Sequence, residues 1–324
     1  MRRPGRVASG GTALLILSFL AGPRVRVSDA WEEPDLPVDV SAHVERSEAL
    51  IPSVRSGDQK QIVWAEPERR LPTALAVVYL HGFSADRHEV EPLVSQLSER
   101  LGANLYFARL RGHGRDGSAM GEARAEDWLE DALEAVQIGG RIGDRVLLVG
   151  TSTGATLALW AAGQPKAREQ IAALLLISPN LQPKDRSSRL LLWPWGALVA
   201  RVVVGPQRCF EAENEEQERH WTTCYPTSAL LPMMALVEHV RTSDLSRVEA
   251  PAFVAYSPDD QVVDPREIER LFPTLGSSVK ELHVVEGGGD PAGHILAGDI
   301  LSPATTGEML SEMLAFVRAL DAPR

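Results

Sequence analysis

The sequence predicts an α/β fold, in which a mostly parallel central sheet carries helices on both faces and a helical insertion interrupts the later part of the chain. Short apolar runs lack polar alternation, as is typical of strands buried on both faces. Stretches with apolar residues three and four positions apart alternate with these runs and predict the covering helices. A chain of 324 residues, 44% of them hydrophobic, can bury one large core with an insertion.

The strand-like and helix-like patterns follow each other along the chain. The predicted strands are Gln61–Ala65, Ala74–Leu80, Asn104–Leu110, Arg145–Gly150, Ile171–Ile177, Pro251–Ser257 and Val279–Val285. The predicted helices are Val90–Leu101, Ala125–Val136, Thr153–Ala162, Arg266–Leu271 and Thr306–Leu320. Residues 31–60, rich in proline, serine and charge, are expected to approach the fold in an extended form.

The alternation stops between Gln182 and Glu249, where tryptophans, apolar runs and an acidic segment follow one another. This stretch predicts helical hairpins that form a lid over the carboxyl edge of the sheet. The predicted organisation is therefore a core of residues 31–182 and 250–324 with a lid insertion at 183–249.

Residues 1–30 have the pattern of a secretory signal peptide. Three arginines precede the apolar run Ala13–Ala21, which is shorter than the roughly 20 residues of a membrane span. Ser28–Ala30 offers small residues for cleavage, but Arg24 and Arg26 lie before it, which is unusual for a cleaved leader. We expect a periplasmic or secreted protein, with an uncleaved N-terminal membrane anchor as the alternative.

Charge and cysteine content exclude some partners. The net charge of -11 is unlike the basic face of a nucleic-acid binder, so no nucleic-acid partner is expected. The two cysteines, Cys209 and Cys224, could form a disulfide in an exported protein or remain two buried thiols. Their spacing in the sequence does not distinguish these alternatives. They lack a second Cys/His pair nearby, so no metal site is predicted on them.

The segment from Gly150 to Gly154 reads G-T-S-T-G between a predicted strand and a predicted helix. In this context G-x-S-x-G forms a sharp turn that projects the serine hydroxyl above the sheet. The glycines supply the room that such a turn needs. Ser152 is therefore the predicted nucleophile.

A second loop, His81–Ser84, follows the strand Ala74–Leu80 directly. Acyl transfer builds negative charge on a substrate oxygen, which preorganised N–H groups stabilise. In this arrangement the donors are the backbone N–H groups of Phe83 and Thr153. His81 is expected to hold the loop rather than to act in catalysis.

The pieces HGF, LRGHG, GTSTG, YSPDDQVVDP and GH resemble, in chain order, the α/β-hydrolase superfamily. The chain looks closest to its monoacylglycerol lipase and carboxylesterase-like branch, the serine aminopeptidase S33 type. The resemblance runs from about residue 60 and is weakest in the lid. It implies an ester hydrolase that needs no metal or organic cofactor.

The resemblance also assigns the other two members of a catalytic triad. The acid is expected one residue before a Val-Val pair, which is Asp260, with the adjacent Asp259 as the alternative. The base is expected after the last strand, in a Gly-His context that matches His294. Asp264 is interpreted as a helix cap. The remaining histidines have structural interpretations: His43, His81, His88, His113, His220, His239 and His283.

Other functions stay open at this stage. The triad alone does not choose between ester, thioester and amide or peptide bonds, and the resemblance favours a small-molecule ester. The Trp- and Leu-rich insertion would suit a lipid-like substrate, but the same residues also suit plain packing. A non-catalytic binding protein on this fold is the alternative from another class. The substrate-binding residues are not identifiable from the sequence.

Overall fold

The computed structural model describes residues 17–28, 32 and 34–320 and has a central sheet of seven strands. The strands of this sheet are β1 Gln61–Val63, β2 Thr73–Leu80, β3 Asn104–Phe107, β4 Gly143–Thr151, β5 Ile171–Ile177, β8 Ala252–Tyr256 and β9 Lys280–Val284, while β6 Gln207–Cys209 and β7 Cys224–Pro226 form a separate pair. Their spatial order in the sheet is β1-β3-β2-β4-β5-β8-β9, in which β1 pairs antiparallel with β3 and every other pair is parallel. All the predicted strands are present, and the predicted α/β fold is confirmed.

Helices cover both faces of this sheet. The helices are α1 Val40–Ala49, α2 Leu93–Leu101, α3 Gly117–Met120, α4 Ala125–Ile142, α5 Thr153–Ala162, α6 Pro165–Gln170, α7 Gly196–Val203, α8 Glu215–His220, α9 Leu230–Arg241, α10 Pro265–Leu271 and α11 Pro303–Leu320. On one face of the sheet α4 and α5 pack in an apolar layer, with α9 packed against these two helices. On the opposite face α2 and α11 form the other apolar layer. Short 3-10 helices lie at Arg87–Val90, Arg186–Leu192, Thr227–Ala229, Leu245–Arg247 and Phe272–Thr274.

The expectation of an extended approach over residues 31–60 is wrong, because α1 lies within it. Asp39 caps this helix by accepting a hydrogen bond from the Ala42 N–H at 3.0 Å. The helix is held to the fold by the buried Glu48 carboxylate, which receives two hydrogen bonds from Arg109 at 2.7 and 2.8 Å. This stabilising partner is distant in the chain, so the local composition did not indicate the helix.

The insertion, residues 183–249, lies between β5 and β8 and differs in part from the predicted helical hairpins. Its helices α7, α8 and α9 are accompanied by a two-stranded hairpin of β6 and β7. Cys209 and Cys224 face each other across this hairpin and form a disulfide, with their Sγ atoms 2.01 Å apart. Of the two interpretations of these cysteines, the structure therefore contains the bonded pair.

The chain that precedes the core contacts the insertion. Arg2, Arg3, Arg6 and residues 13–16 of the apolar run lie outside the described residues, as do Asp29 and Ala30 of the predicted cleavage site. Pro23 accepts a backbone hydrogen bond from Trp195 at 2.9 Å, and Phe19 packs edge-on against Trp193. Among the described residues, no helix has both the length and the hydropathy needed to cross a bilayer.

The sharp turn between β4 and α5 depends on Gly154. A Cβ at this position would lie 2.0 Å from the carbonyl oxygen of Leu80, which belongs to the neighbouring strand β2. No side-chain rotation relieves a clash with backbone, so Gly154→Ala is expected to destabilise the protein by about 1–3 kcal/mol or more. The free energy of unfolding in urea measures this cost.

Gly163→Ala, at the other end of α5, is the matched control. Its Cβ would meet its nearest neighbour, the Trp160 carbonyl oxygen, at 3.4 Å. We expect this variant to unfold near the wild-type urea concentration. Equal stability of the two variants would contradict the close approach of α5 to β2.

Candidate active site

Ser152 lies at the turn between the central strand β4 and helix α5. Its backbone has φ 53° and ψ -115°, a conformation that residues other than glycine rarely adopt. The turn is held by the Ser152 N–H, which donates to the Ile177 carbonyl of the adjacent strand β5 at 2.8 Å. The residue therefore sits in strained backbone at the carboxyl end of the sheet, as the G-x-S-x-G pattern indicates.

The loop after β2 lies directly beside Ser152. Leu80 and Gly150 are partners in the parallel pairing of β2 with β4, so the loops that follow them are neighbours. A Cβ built on Gly82 would lie 3.4 Å from Ser152 Cβ. Phe83 follows Gly82, and Thr153 is the first residue of α5, so both predicted N–H donors belong to the segments that border Ser152.

His81 connects this loop to the loop after β3. Its Nδ1 lies 2.9 Å from the Gly82 carbonyl oxygen, and its Nε2 accepts a hydrogen bond from the Leu110 N–H at 3.1 Å. Complete burial lowers the pKa of His81, which favours the neutral ring that this bonding pattern needs. These contacts agree with the predicted structural role.

Asp260 and His294 form a buried pair. Asp260 Oδ2 lies 2.7 Å from His294 Nδ1, while Asp260 Oδ1 accepts hydrogen bonds from the Val262 and Val263 N–H groups at 2.7 and 2.9 Å. The carboxylate is thus fixed on both oxygens. Asp259 is exposed, so the structure places Asp260 and not its neighbour against the imidazole.

Two residues that the sequence analysis did not identify hold the loop that carries His294. Asp290 Oδ2 accepts hydrogen bonds from the His294 and Ile295 N–H groups, each at 2.8 Å. Ser178, which follows β5, donates its hydroxyl to the His294 carbonyl at 2.7 Å. Asp290 precedes the sequence Pro-Ala-Gly, which is typical of a turn, so its role in holding this loop could have been predicted. Nothing in the sequence around Ser178 indicates its role.

The charges around His294 favour its protonated form. Burial by itself disfavours the imidazolium, but the Asp260 carboxylate outweighs it, with smaller help from Asp290 and Glu89, so the pKa of His294 is raised. An imidazole with this environment can accept a proton from a nearby hydroxyl and hold it until a leaving group takes it.

A buried carboxyl group, Glu89, supports the loop after β2. It accepts hydrogen bonds from the Gly82 N–H and from the Tyr79 hydroxyl, the latter at 2.6 Å. The Tyr79 hydroxyl also lies 3.0 Å from Thr151 Oγ1 at the end of β4. Burial raises the pKa of Glu89 to about 8. The sequence analysis missed this residue, because nothing local marks an inward-facing glutamate.

The other acidic and histidine candidates have structural positions. Asp264 accepts a hydrogen bond from the Arg266 N–H at 3.2 Å and caps α10, which confirms its interpretation as a cap. His283 stacks on Phe253 at a ring distance of 5.4 Å. Two groups of side chains that could bind a metal ion occur among the described residues. One group is Asp58, Asp86, His88 and His220, and the other is Glu281, His283 and Glu312. Neither group includes Ser152, Asp260 or His294.

Comparison with known proteins identifies the family of the chain. Residues 72–289 match the family described as "Serine aminopeptidase, S33". The thermostable monoacylglycerol lipase of Bacillus sp. (strain H-257) is 24% identical over 218 residues, which cover 67% of this chain and 83% of the relative. These findings confirm the predicted family.

Solved structures also resemble the chain. One belongs to the metagenome-derived lipolytic enzymes LipS and LipT, with a TM-score of 0.65, 23% identity and coverage of 82% of this chain and 100% of the other. Another is the monoacylglycerol lipase of Paleococcus ferrophilus, with a TM-score of 0.60, 16% identity and coverage of 81% and 98%. At these identities the likeness establishes the fold.

The Asp260–His294 pair makes a prediction about reactivity and pH. If neutral His294 takes the proton of Ser152, fluorophosphonate labelling of Ser152 rises with pH, with a midpoint above the ordinary histidine pKa of about 6.5. Asp260→Asn is expected to slow labelling by roughly 10⁴-fold, because the wrong tautomer is favoured. The midpoint of the residual reaction should fall, since the charge that raises the pKa of His294 is gone.

Asp259→Asn removes a carboxylate from the adjacent, exposed position and serves as the control. We expect its labelling rate and its pH midpoint to match those of the wild type. A strong loss of labelling in this variant, with Asp260→Asn unaffected, would reverse the two assignments.

Proposed function

This chain belongs to the serine aminopeptidase S33 family of α/β-hydrolases, and we propose that it cleaves carboxylic esters through an acyl-enzyme intermediate. The observation that carries the proposal is the strained turn at Ser152 beside a loop of N–H donors, together with the buried Asp260–His294 pair. The lipolytic relatives support an ester as the substrate.

In the proposed reaction Ser152 Oγ attacks the ester carbonyl carbon and His294 takes the serine proton. Since Nδ1 of His294 is bonded to Asp260, the free Nε2 is the atom that accepts it. The imidazolium then protonates the departing alcohol oxygen, which leaves the acyl group on Ser152. A water molecule, deprotonated by the same nitrogen, then attacks the acyl carbon. The bond from this carbon to Ser152 Oγ breaks, the acid leaves, and the imidazolium returns the proton to Ser152 Oγ.

The backbone N–H groups of Phe83 and Thr153 are proposed to receive the negative charge on the carbonyl oxygen. Thr153 begins helix α5, whose N-terminus adds a favourable dipole. The Phe83 side chain packs against His113, Trp128 and Tyr225, with ring distances of 5.7, 6.0 and 5.3 Å. This packing restricts the loop and so favours a preorganised donor. The proposed chemistry requires no metal or organic cofactor.

For the substrate we propose an ester with an apolar acyl or alcohol part. The insertion exposes a series of apolar side chains, and an exposed apolar surface of this kind is typical of proteins that bind lipid-like molecules. Two of the relatives are named as monoacylglycerol lipases, which supports the same class of substrate. The exposed apolar residues are Leu190, Trp193, Trp195, Leu198, Val199, Val202, Val203 and Val204.

We also propose that the protein is exported. The leader pattern of residues 1–30 and the Cys209–Cys224 disulfide both suit an oxidising compartment. The intact mass of the protein recovered from its native cell distinguishes cleavage near Ala30 from a retained leader. Recovery of a reduced, full-length chain from the cytoplasm would contradict export.

Ser152→Ala tests the proposed function. We expect the variant to lose fluorophosphonate labelling and to hydrolyse p-nitrophenyl esters about 10⁶-fold more slowly, because no nucleophile remains. Rates on p-nitrophenyl esters of graded chain length, measured on the wild type, should rise beyond the acetate if the substrate is apolar.

Ser118→Ala, which changes an exposed serine, is the matched control and should label and turn over as the wild type does. A wild type that hydrolyses a p-nitroanilide faster than the matching ester would contradict an ester preference. Absence of both labelling and turnover in the wild type would favour the non-catalytic alternative.

A further inference from the structure

A cluster of four potential metal ligands lies where the insertion meets the loop after β2. Its members are Asp58, Asp86, His88 and His220, whose ligand atoms all lie within 4.8 Å of one another. Asp58 and Asp86 are buried, and the two histidines are partly exposed. The four side chains come from three segments of the chain, since Asp86 and His88 are neighbours, and the tertiary fold brings these segments together.

The histidine nitrogens converge on the carboxylates. His88 Nδ1 lies 2.9 Å from Asp86 Oδ1, and His220 Nδ1 lies 3.0 Å from Asp86 Oδ2. Asp58 Oδ1 lies 3.8 Å from His88 Nδ1 and 3.7 Å from His220 Nδ1. Two imidazole nitrogens and the oxygens of two carboxylates thus lie close together.

The two buried carboxylates of the cluster each have a positive partner. Arg55 donates to Asp58 Oδ2 at 2.7 Å and lies 3.9 Å from Asp86 Oδ2. Hydrogen bonds to Asp58 and Asp86 raise the pKa of His220 to about 9, so its imidazolium supplies the second positive charge. A divalent cation bound to two neutral imidazoles would take the place of that proton.

The surroundings offer both an outer partner and an entry path. His220 Nε2 lies 3.8 Å from Glu216 Oε2, and a carboxylate at the far nitrogen typically orients a metal-bound histidine. A groove of about 620 Å³ leads to the two histidines, and its acidic lining favours the approach of a cation. The acidic residues of this groove are Glu91, Glu215, Glu216 and Asp299.

We propose that Asp58, Asp86, His88 and His220 bind a divalent transition metal, with Zn²⁺ as the best match. Two nitrogen and two carboxylate ligands are typical of zinc, whereas Ca²⁺ and Mg²⁺ prefer oxygen ligands alone. Nothing in the proposed ester hydrolysis requires this ion. The proposed role of the ion is structural. The inference does not depend on the proposed function, because it is tested by measuring bound metal.

The ion would fasten the insertion to the loop that borders Ser152. His220 ends α8 of the insertion, while Asp86 and His88 follow Phe83 by only a few residues. The two segments already touch, since the Thr222 N–H donates to the Ser84 carbonyl at 2.7 Å. A bound metal would therefore stabilise both the insertion and the loop that carries a proposed N–H donor.

The test is a Zn²⁺ titration of the full chain, stripped with a chelator, in competition with a chromogenic zinc indicator. We expect one tightly bound Zn²⁺ per chain and a higher melting temperature with zinc. His88→Gln and His220→Gln should each weaken binding by at least about 100-fold, since loss of even an outer-shell partner costs about 10–100-fold. Zinc should no longer raise their melting temperature.

His283→Gln is the matched control, because it removes a histidine from the second potential cluster, with Glu281 and Glu312, and should leave binding unchanged. Co²⁺ added to the wild type should give the visible spectrum of a four-coordinate site with nitrogen and oxygen ligands. This measurement tests the site even if a variant fails to fold. Failure of the wild type to bind Zn²⁺ or Co²⁺, or binding lost only in His283→Gln, would overturn the proposal.

Discussion

The close contact between helix α5 and the end of strand β2 is the constraint on which the candidate site depends. Gly154 lies so near the Leu80 carbonyl oxygen that no side chain fits between them. This contact lets the chain turn at once from β4 into α5, and it holds Ser152 in a backbone conformation that ordinary residues avoid. It also brings the start of α5 next to the loop after β2. Ser152, the proposed nucleophile, and the loop with the proposed donors are therefore positioned by the same packing.

Around this turn the site is built from groups that fix one another. Asp260 is bound on one oxygen by backbone N–H groups and on the other by His294, so the imidazole has little freedom to rotate. Asp290 and Ser178 hold the backbone on either side of the ring. The buried Glu89 carboxyl group holds the backbone at Gly82 by accepting a hydrogen bond from its N–H. Because these groups are held in place before the reaction, they can stabilise the charge that develops during it without first reorienting.

The insertion contacts the loop beside Ser152, and none of the proposed catalytic side chains belongs to it. Its hairpin places Tyr225 against Phe83, and Trp221 lies in a small apolar cluster with Ala85 and Ile295. The Asp and His cluster lies at the same junction. The insertion and the loop beside Ser152 thus share a common boundary, which is why a metal at that boundary would affect the stability of both.

The sequence by itself determined the sheet, the order of its strands along the chain and the turn at Ser152. Buried parallel strands are continuous apolar runs and G-x-S-x-G needs a specific backbone, so both are visible locally. The roles of Asp260 and His294 came from the family resemblance, and the fold then placed them 2.7 Å apart. Only the tertiary structure decided the α1 helix, the β6–β7 hairpin with its disulfide, the inward position of Glu89 and the cluster around Asp86. Each of these depends on partners distant in the chain, and a local pattern contains no information about which distant side chain will come to lie beside it.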